Sequence, residues 1–103
     1  MKRGEIRWYK FTKPDKKRPV LILTRDSALE FLGEVTIAPI STTIRNIPTE
    51  VFLTKADGMN ANSAVNFDHI QTVSKAKIGS LIAQLNPDKL LQARRALLFA
   101  LGY

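Results

Sequence analysis

Pro19-Val20-Leu21-Ile22-Leu23-Thr24 decides how the chain is read, because four consecutive apolar residues bounded by proline and threonine are too short for a helix and too apolar for a half-exposed strand. The run reads as a strand buried on both faces. Pro19 is expected at its first position, where no ladder N–H is missed. Upstream, Glu5 to Phe11 alternates like a second strand, with Ile6 and Trp8 on one face and Arg7, Tyr9 and Phe11 on the other. Trp8 is expected in the core. Pro14-Asp15 marks the turn between the two strands.

Downstream, Asp26 and Ser27 are expected to cap a short helical turn over Ala28–Leu32, closed by Gly33. Strands follow at Glu34–Ile40 and Thr49–Leu53. Residues 64–67 and 69–73 read as two short strands or one bent one. Asn86-Pro87-Asp88 is a helix start: an N-cap, a proline at the first helical position, and a carboxylate facing the dipole. The spacing predicts a helix over about 87–101, with Leu90, Leu91, Leu97, Leu98 and Leu101 as a core-facing stripe and Gly102 as its stop. Five or more strands and one terminal helix make a mainly β fold, a small barrel with appended helices. The 103 residues are expected to form one domain, 1–103.

The net charge is +7, and its placement is more informative than its size. Residues 1–25 carry nine Lys or Arg against Glu5 and Asp15, whereas the rest of the chain sums to zero. Such a segment suits a polyanion or serves solubility. There is no cysteine, which removes disulfides, thiol catalysis and cysteine-bound metals. No HExxH, Walker or GxGxxG pattern occurs, and a single histidine, His69, has no nucleophile elbow to serve. Apolar runs reach only six residues, too short for a membrane span or signal peptide, so an intracellular, cytoplasmic protein without membrane contact is expected.

Cations, hydroxyls and amides remain, and these suit phosphate chemistry. A guanidinium holds two phosphate oxygens at once and stays charged at any working pH. RNA supplies its own nucleophile, the 2′-OH. Arg18 sits where the basic loop meets the buried strand. By position alone it is an exposed strand-edge arginine, with phosphate binding the alternative.

Several blocks in order carry a family resemblance: Arg3-Gly4-Glu5-Ile6 with Trp8, Arg18-Pro19-Val20, Ala38-Pro39-Ile40-Ser41-Thr42-Thr43-Ile44-Arg45, Ile47-Pro48-Thr49-Glu50-Val51, and Asp68-His69-Ile70-Gln71-Thr72-Val73. Over residues 2–82 the chain resembles the MazF/PemK toxins of bacterial toxin–antitoxin pairs. The resemblance implies an SH3-like barrel, a homodimer, and an endoribonuclease that needs no metal or cofactor. It implies cleavage of single-stranded RNA at short sequences, leaving a 2′,3′-cyclic phosphate and a 5′-hydroxyl. It also implies an acidic, partly disordered antitoxin as partner.

Carried across by position, Arg18 would clamp the scissile phosphate and stabilise the transition state. Ser41 stands where most relatives have a catalytic threonine, with Thr42 the substitute if the register shifts by one. RNA contacts are expected from Lys10, Phe11, Lys13, Lys16, Lys17, Thr42, Thr43, Arg45, Asp68, His69 and Gln71. Phe11 is the expected stacking aromatic. Two departures are Lys17, where many relatives have glycine, and His69-Ile70-Gln71, where the common form is Gln-Ile-Arg. An imidazole such as His69 has the chemistry for proton transfer, but a base contact or a packing role is the expectation. The competing functions are a gyrase-inhibiting CcdB-like toxin and a non-catalytic RNA-binding module.

Overall fold

A computed structural model describes residues 1–11 and 16–103. Its strands are β1 (Glu5–Lys10), β2 (Lys17–Ile22), β3 (Glu34–Ser41), β4 (Glu50–Leu53), β5 (Ser63–Asn66), β6 (Gln71–Ser74) and β7 (Ile78–Gln84). Two α-helices, α1 (Asp26–Leu29) and α2 (Pro87–Leu101), and three 3-10 turns are the helical elements among the described residues. The seven strands form one antiparallel sheet in the order β4-β5-β3-β2-β1-β7. β6 branches from the first half of β3, through Val35↔Val73, while β5 takes its last residues, through Ile40↔Val65. The expected mainly β fold with a terminal helix is present.

Val20, Leu21 and Ile22 have no exposed surface, as a strand covered on both faces requires. Leu21 joins a core with Ile6, Ile40, Leu53, Val65 and Phe67, and Ala93 and Ala96 of α2 close it. Strands β1 to β5 all feed this cluster, so the sheet wraps around it. Val20 and Ile22 point to a second cluster with Tyr9, Leu29, Val35, Ile37 and Val73. Each such buried aliphatic contributes about 1.5–3 kcal/mol.

Several expectations need correcting. β2 begins at Lys17, so Pro19 is its third residue. There β1 pairs with β2 but β3 has yet to join, and a strand paired on one edge tolerates the missing N–H. Trp8 is half-buried and outside both cores. The N-cap of α1 is Arg25, with no side-chain cap bond. Asp26 instead accepts from the Arg3 backbone N–H at 2.6 Å. The helix closes at Glu30 in the right-handed region rather than at Gly33.

The bounds of α2 match the sequence reading. Asn86 Oδ1 accepts from Lys89 N at 2.8 Å, and Gly102 closes the helix at φ 81°. Its leucine stripe does not match. Ala93 and Ala96 are the buried residues, Leu90 and Leu97 pack partly, and Leu91, Leu98 and Leu101 are exposed. Small side chains let the helix lie close to the sheet, which turns the outer leucines away from it. β7 is an additional strand that the sequence patterning does not mark. No helix among the described residues is long and apolar enough to cross a membrane.

Candidate active site

The basic segment, the Ser41 and Thr42 hydroxyls and the loop before β5 meet around one cavity of about 460 Å³. Strand pairing places its first wall. Tyr9 lies opposite Arg18 on β1 and β2, and Val20 lies opposite Pro39 on β2 and β3. Arg18 precedes Val20 by two residues on β2 and Ser41 follows Pro39 by two on β3, so both lie just beyond the same end of that pairing. Both line the cavity, with Thr42, Lys16 and Lys17. Arg18, Lys16 and Lys17 are exposed, so their charge costs little desolvation. Lys17 also lies directly across from Lys10.

Ser41 is half-buried, and its Oγ accepts from Thr43 N at 3.0 Å. That bond occupies one lone pair and leaves the hydroxyl proton free to be donated outward. Arg18 has the reach to hold phosphate oxygens bidentately, and Ser41 and Thr42 add neutral hydrogen bonds. Among the described residues no three of His, Cys, Asp and Glu group as metal ligands.

The second wall is built by less local means. Thr54 and Asp57 cap the 3-10 turn Lys55–Asp57 reciprocally, and Gly58 leaves it at φ 93°. A Cβ at Gly58 would sit 2.6 Å from the Cβ of Ala83 on β7, so only glycine lets the loop press this closely. Met59, Asn60 and Ala61 then enter the cavity wall, followed by Ser63, with Ile82 from β7. On β1, Glu5 Oε1 receives Arg7 Nε at 2.8 Å, and Arg7 Nη1 donates to the Gly79 carbonyl at 3.0 Å. Burial pushes the Glu5 carboxyl up. The Arg7 guanidinium, the Lys2 backbone N–H and the N-terminal charge outweigh that and hold it below its ordinary value.

Of the expected site residues, Arg18, Ser41, Thr42, Lys16 and Lys17 come together. Thr43 supports Ser41 from outside the cavity lining. Lys10 lies at the end of β1 beside Lys17. Lys13 falls outside the described residues. Phe11 packs edge-on against Tyr9, ring centroids 4.6 Å apart, and so lies against the second cluster, away from the cavity. Trp8 is the aromatic in the cavity wall, the reverse of the expected assignment.

Arg45 pairs with Glu50 at 3.7 Å, and Asp68 accepts from Thr49 Oγ1 at 2.7 Å. His69 is exposed, its Nδ1 3.4 Å from Asn66 Nδ2, and Gln71 is exposed on β6. None of these four lines the cavity. The sequence reading missed Met59, Asn60, Ala61, Ser63 and Ile82. Their only advance signal was Asp57-Gly58, a turn mark that fixes a bend but not its destination.

Residues 2–101 match the model of the PemK-like, MazF-like toxins of type II toxin–antitoxin systems. The chain belongs to this family. Among curated toxins of Mycobacterium tuberculosis, it is 45% identical to endoribonuclease MazF3 over 71 residues, 69% of each chain. It is 34% identical to the probable endoribonuclease MazF2 over 103 residues, 99% of each. The solved M. tuberculosis toxin MazF-mt6 superposes with a TM-score of 0.87 at 36% identity, over 95% of this chain and 96% of that one. A mycobacterial endoribonuclease solved with its cognate antitoxin gives a TM-score of 0.89 at 26% identity, over 99% and 95%.

Proposed function

We propose that this toxin is an endoribonuclease that cuts single-stranded RNA at the cavity between Arg18 and Ser41. The observation carrying the proposal is that the cation and hydroxyls singled out by the family resemblance line one accessible cavity. The substrate 2′-OH attacks the adjacent phosphorus, the bond to the 5′-oxygen breaks, and a 2′,3′-cyclic phosphate and a 5′-hydroxyl result. Arg18 grips the phosphate oxygens as charge builds on them. Ser41 positions the phosphate through its outward hydroxyl, with Thr42 beside it. A guanidinium stays protonated at any working pH and is a poor proton acceptor, so its role is electrostatic. Lys16, Lys17 and Lys10 draw the RNA backbone in.

Family membership and the relatives named as endoribonucleases support this reading. An acidic antitoxin segment would compete for the same basic cavity, as charge complementarity favours. We assign the working toxin to the cytoplasm, where its RNA is, and to a homodimer, to which the exposed Leu91, Leu98 and Leu101 add apolar surface.

The test is digestion of a long single-stranded RNA in EDTA with both new ends mapped. Discrete cuts bearing cyclic phosphate and 5′-hydroxyl ends are expected. Intact RNA would remove the nuclease reading.

A further inference from the structure

Ser63, a residue of the cavity lining, carries a buried hydroxyl with no hydrogen-bond partner among the described residues. Ser63 is 3% exposed, and its Oγ is the one buried side-chain polar atom among the described residues without a hydrogen-bond partner. Leaving a buried hydroxyl unpaired is costly, and alanine would pack the same position without that cost. Ser63 lines the cavity that holds Arg18 and Ser41. By strand alternation it shares a face with Val65, a core residue, so it lies at the apolar end of the cavity rather than on its charged rim.

Trp8 stands in the same lining, and its position is built rather than incidental. Between Arg7 and Tyr9 of β1 the partner register on β7 runs from Leu81 to Ile78, an extra residue on β7 opposite Trp8. Gly79 occupies that step, and a Cβ there would lie 3.2 Å from the Trp8 carbonyl oxygen and 3.3 Å from its Cβ. A bulge with a glycine at its tightest point re-aims the side chain it faces. Here that side chain is an aromatic outside both cores.

An aromatic wall, an apolar floor and one unsatisfied hydroxyl beside a phosphate-binding rim match the chemistry of a nucleobase next to its phosphate. We propose that the floor is a base-selecting subsite: Trp8 stacks on the base adjacent to the phosphate held at Arg18, and Ser63 Oγ hydrogen-bonds that base's edge. Met59 shares the wall, and its unbranched, adaptable side chain yields to admit the base. This proposal rests on RNA being the substrate.

Trp8 is the sole tryptophan, so intrinsic fluorescence reports on the subsite alone. The experiment titrates the full chain with four uncleavable 2′-deoxy tetranucleotides, one per base, beside a cleavage assay on long RNA. Quenching is expected, with one base favoured. Ser63→Ala should flatten the ranking by about 2- to 10-fold while Tm stays level or rises. A purely structural serine would give the opposite pattern, a lower Tm and an unchanged ranking, and would overturn the proposal.

Gly79→Val is a second probe. Crowding Trp8 should weaken quenching for all four bases, and unaltered quenching would count against the stacking role. Cleavage by the wild type with no fluorescence response removes the subsite and leaves the nuclease. Base-ranked quenching without cleavage removes the nuclease and keeps the base site. Neither response removes both.

Discussion

The cavity has two walls of different origin. Arg18 and Ser41 stand on β2 and β3, adjacent strands held in register by Val20↔Pro39. Trp8, Asn60, Ser63 and Ile82 converge from β1, from a loop steered by Gly58, from β5 and from β7. The first wall is charged and exposed, while the second is largely apolar and ends on a buried hydroxyl. The difference separates two tasks. The rim handles the phosphate that all RNA shares, and the floor handles the base that distinguishes one RNA from another.

Breaking the rim should cost most. Arg18→Ala removes charge stabilisation at the reacting phosphate and should lower kcat/KM about 100-fold or more, read by single-turnover cleavage with stability unchanged. Ser41→Ala should cost less, about 10-fold, as one neutral hydrogen bond is lost. A larger loss from Thr42→Ala than from Ser41→Ala would move the catalytic hydroxyl one residue along.

Breaking the floor should register first as stability. Gly58→Ala forces a side chain into a left-handed residue and against Ala83, and should cost about 1–2 kcal/mol in denaturant unfolding. Base preference should blur in the same variant, because Asn60 and Ser63 follow that turn.

The smallest effect concerns the Glu5–Arg7–Gly79 brace behind Trp8. The folded-state pKa of Glu5 is depressed, so its stabilisation is complete above the ordinary carboxylate value of 4.5 and disappears as pH falls through the lower folded value. Glu5→Gln should therefore be less stable than wild type near neutral pH, by about 1 kcal/mol for the loss of one largely buried ionic hydrogen bond. That gap should close in acid, as followed by Tm against pH.

The rim was legible in sequence because its parts are local. The apolar run at Val20–Leu23 fixes a strand, the strand fixes where Arg18 emerges, and the Pro39-Ile40-Ser41 block supplies the hydroxyl one strand over. The terminal helix was legible for the same reason, since Asn86, Pro87 and Gly102 act on their own neighbours. The floor was not legible. β7 carries Gly79 and Ser80 where a regular strand would carry β-branched residues, because the bulge opposite Trp8 needs room there. Trp8 reads as core by alternation, and only the β1–β7 register shift places it in the cavity. Phe11 reads as a stacking residue beside a basic loop until Tyr9 is found against it. The burial of Ala93 and Ala96 in place of the leucines depends on how closely α2 approaches the sheet, which periodicity does not encode.

The account stands most directly on the claim that RNA's own 2′-hydroxyl is the nucleophile at the Arg18–Ser41 rim. The decisive measurement compares an RNA containing one cleavage site with the same RNA bearing a single 2′-deoxy substitution just 5′ of the scissile phosphate. Equal binding, with cleavage of the all-ribose strand and none of the substituted one, is the predicted result. Cleavage of the substituted strand at the normal rate would contradict it, because a group of the protein or a water molecule would then be the attacking species.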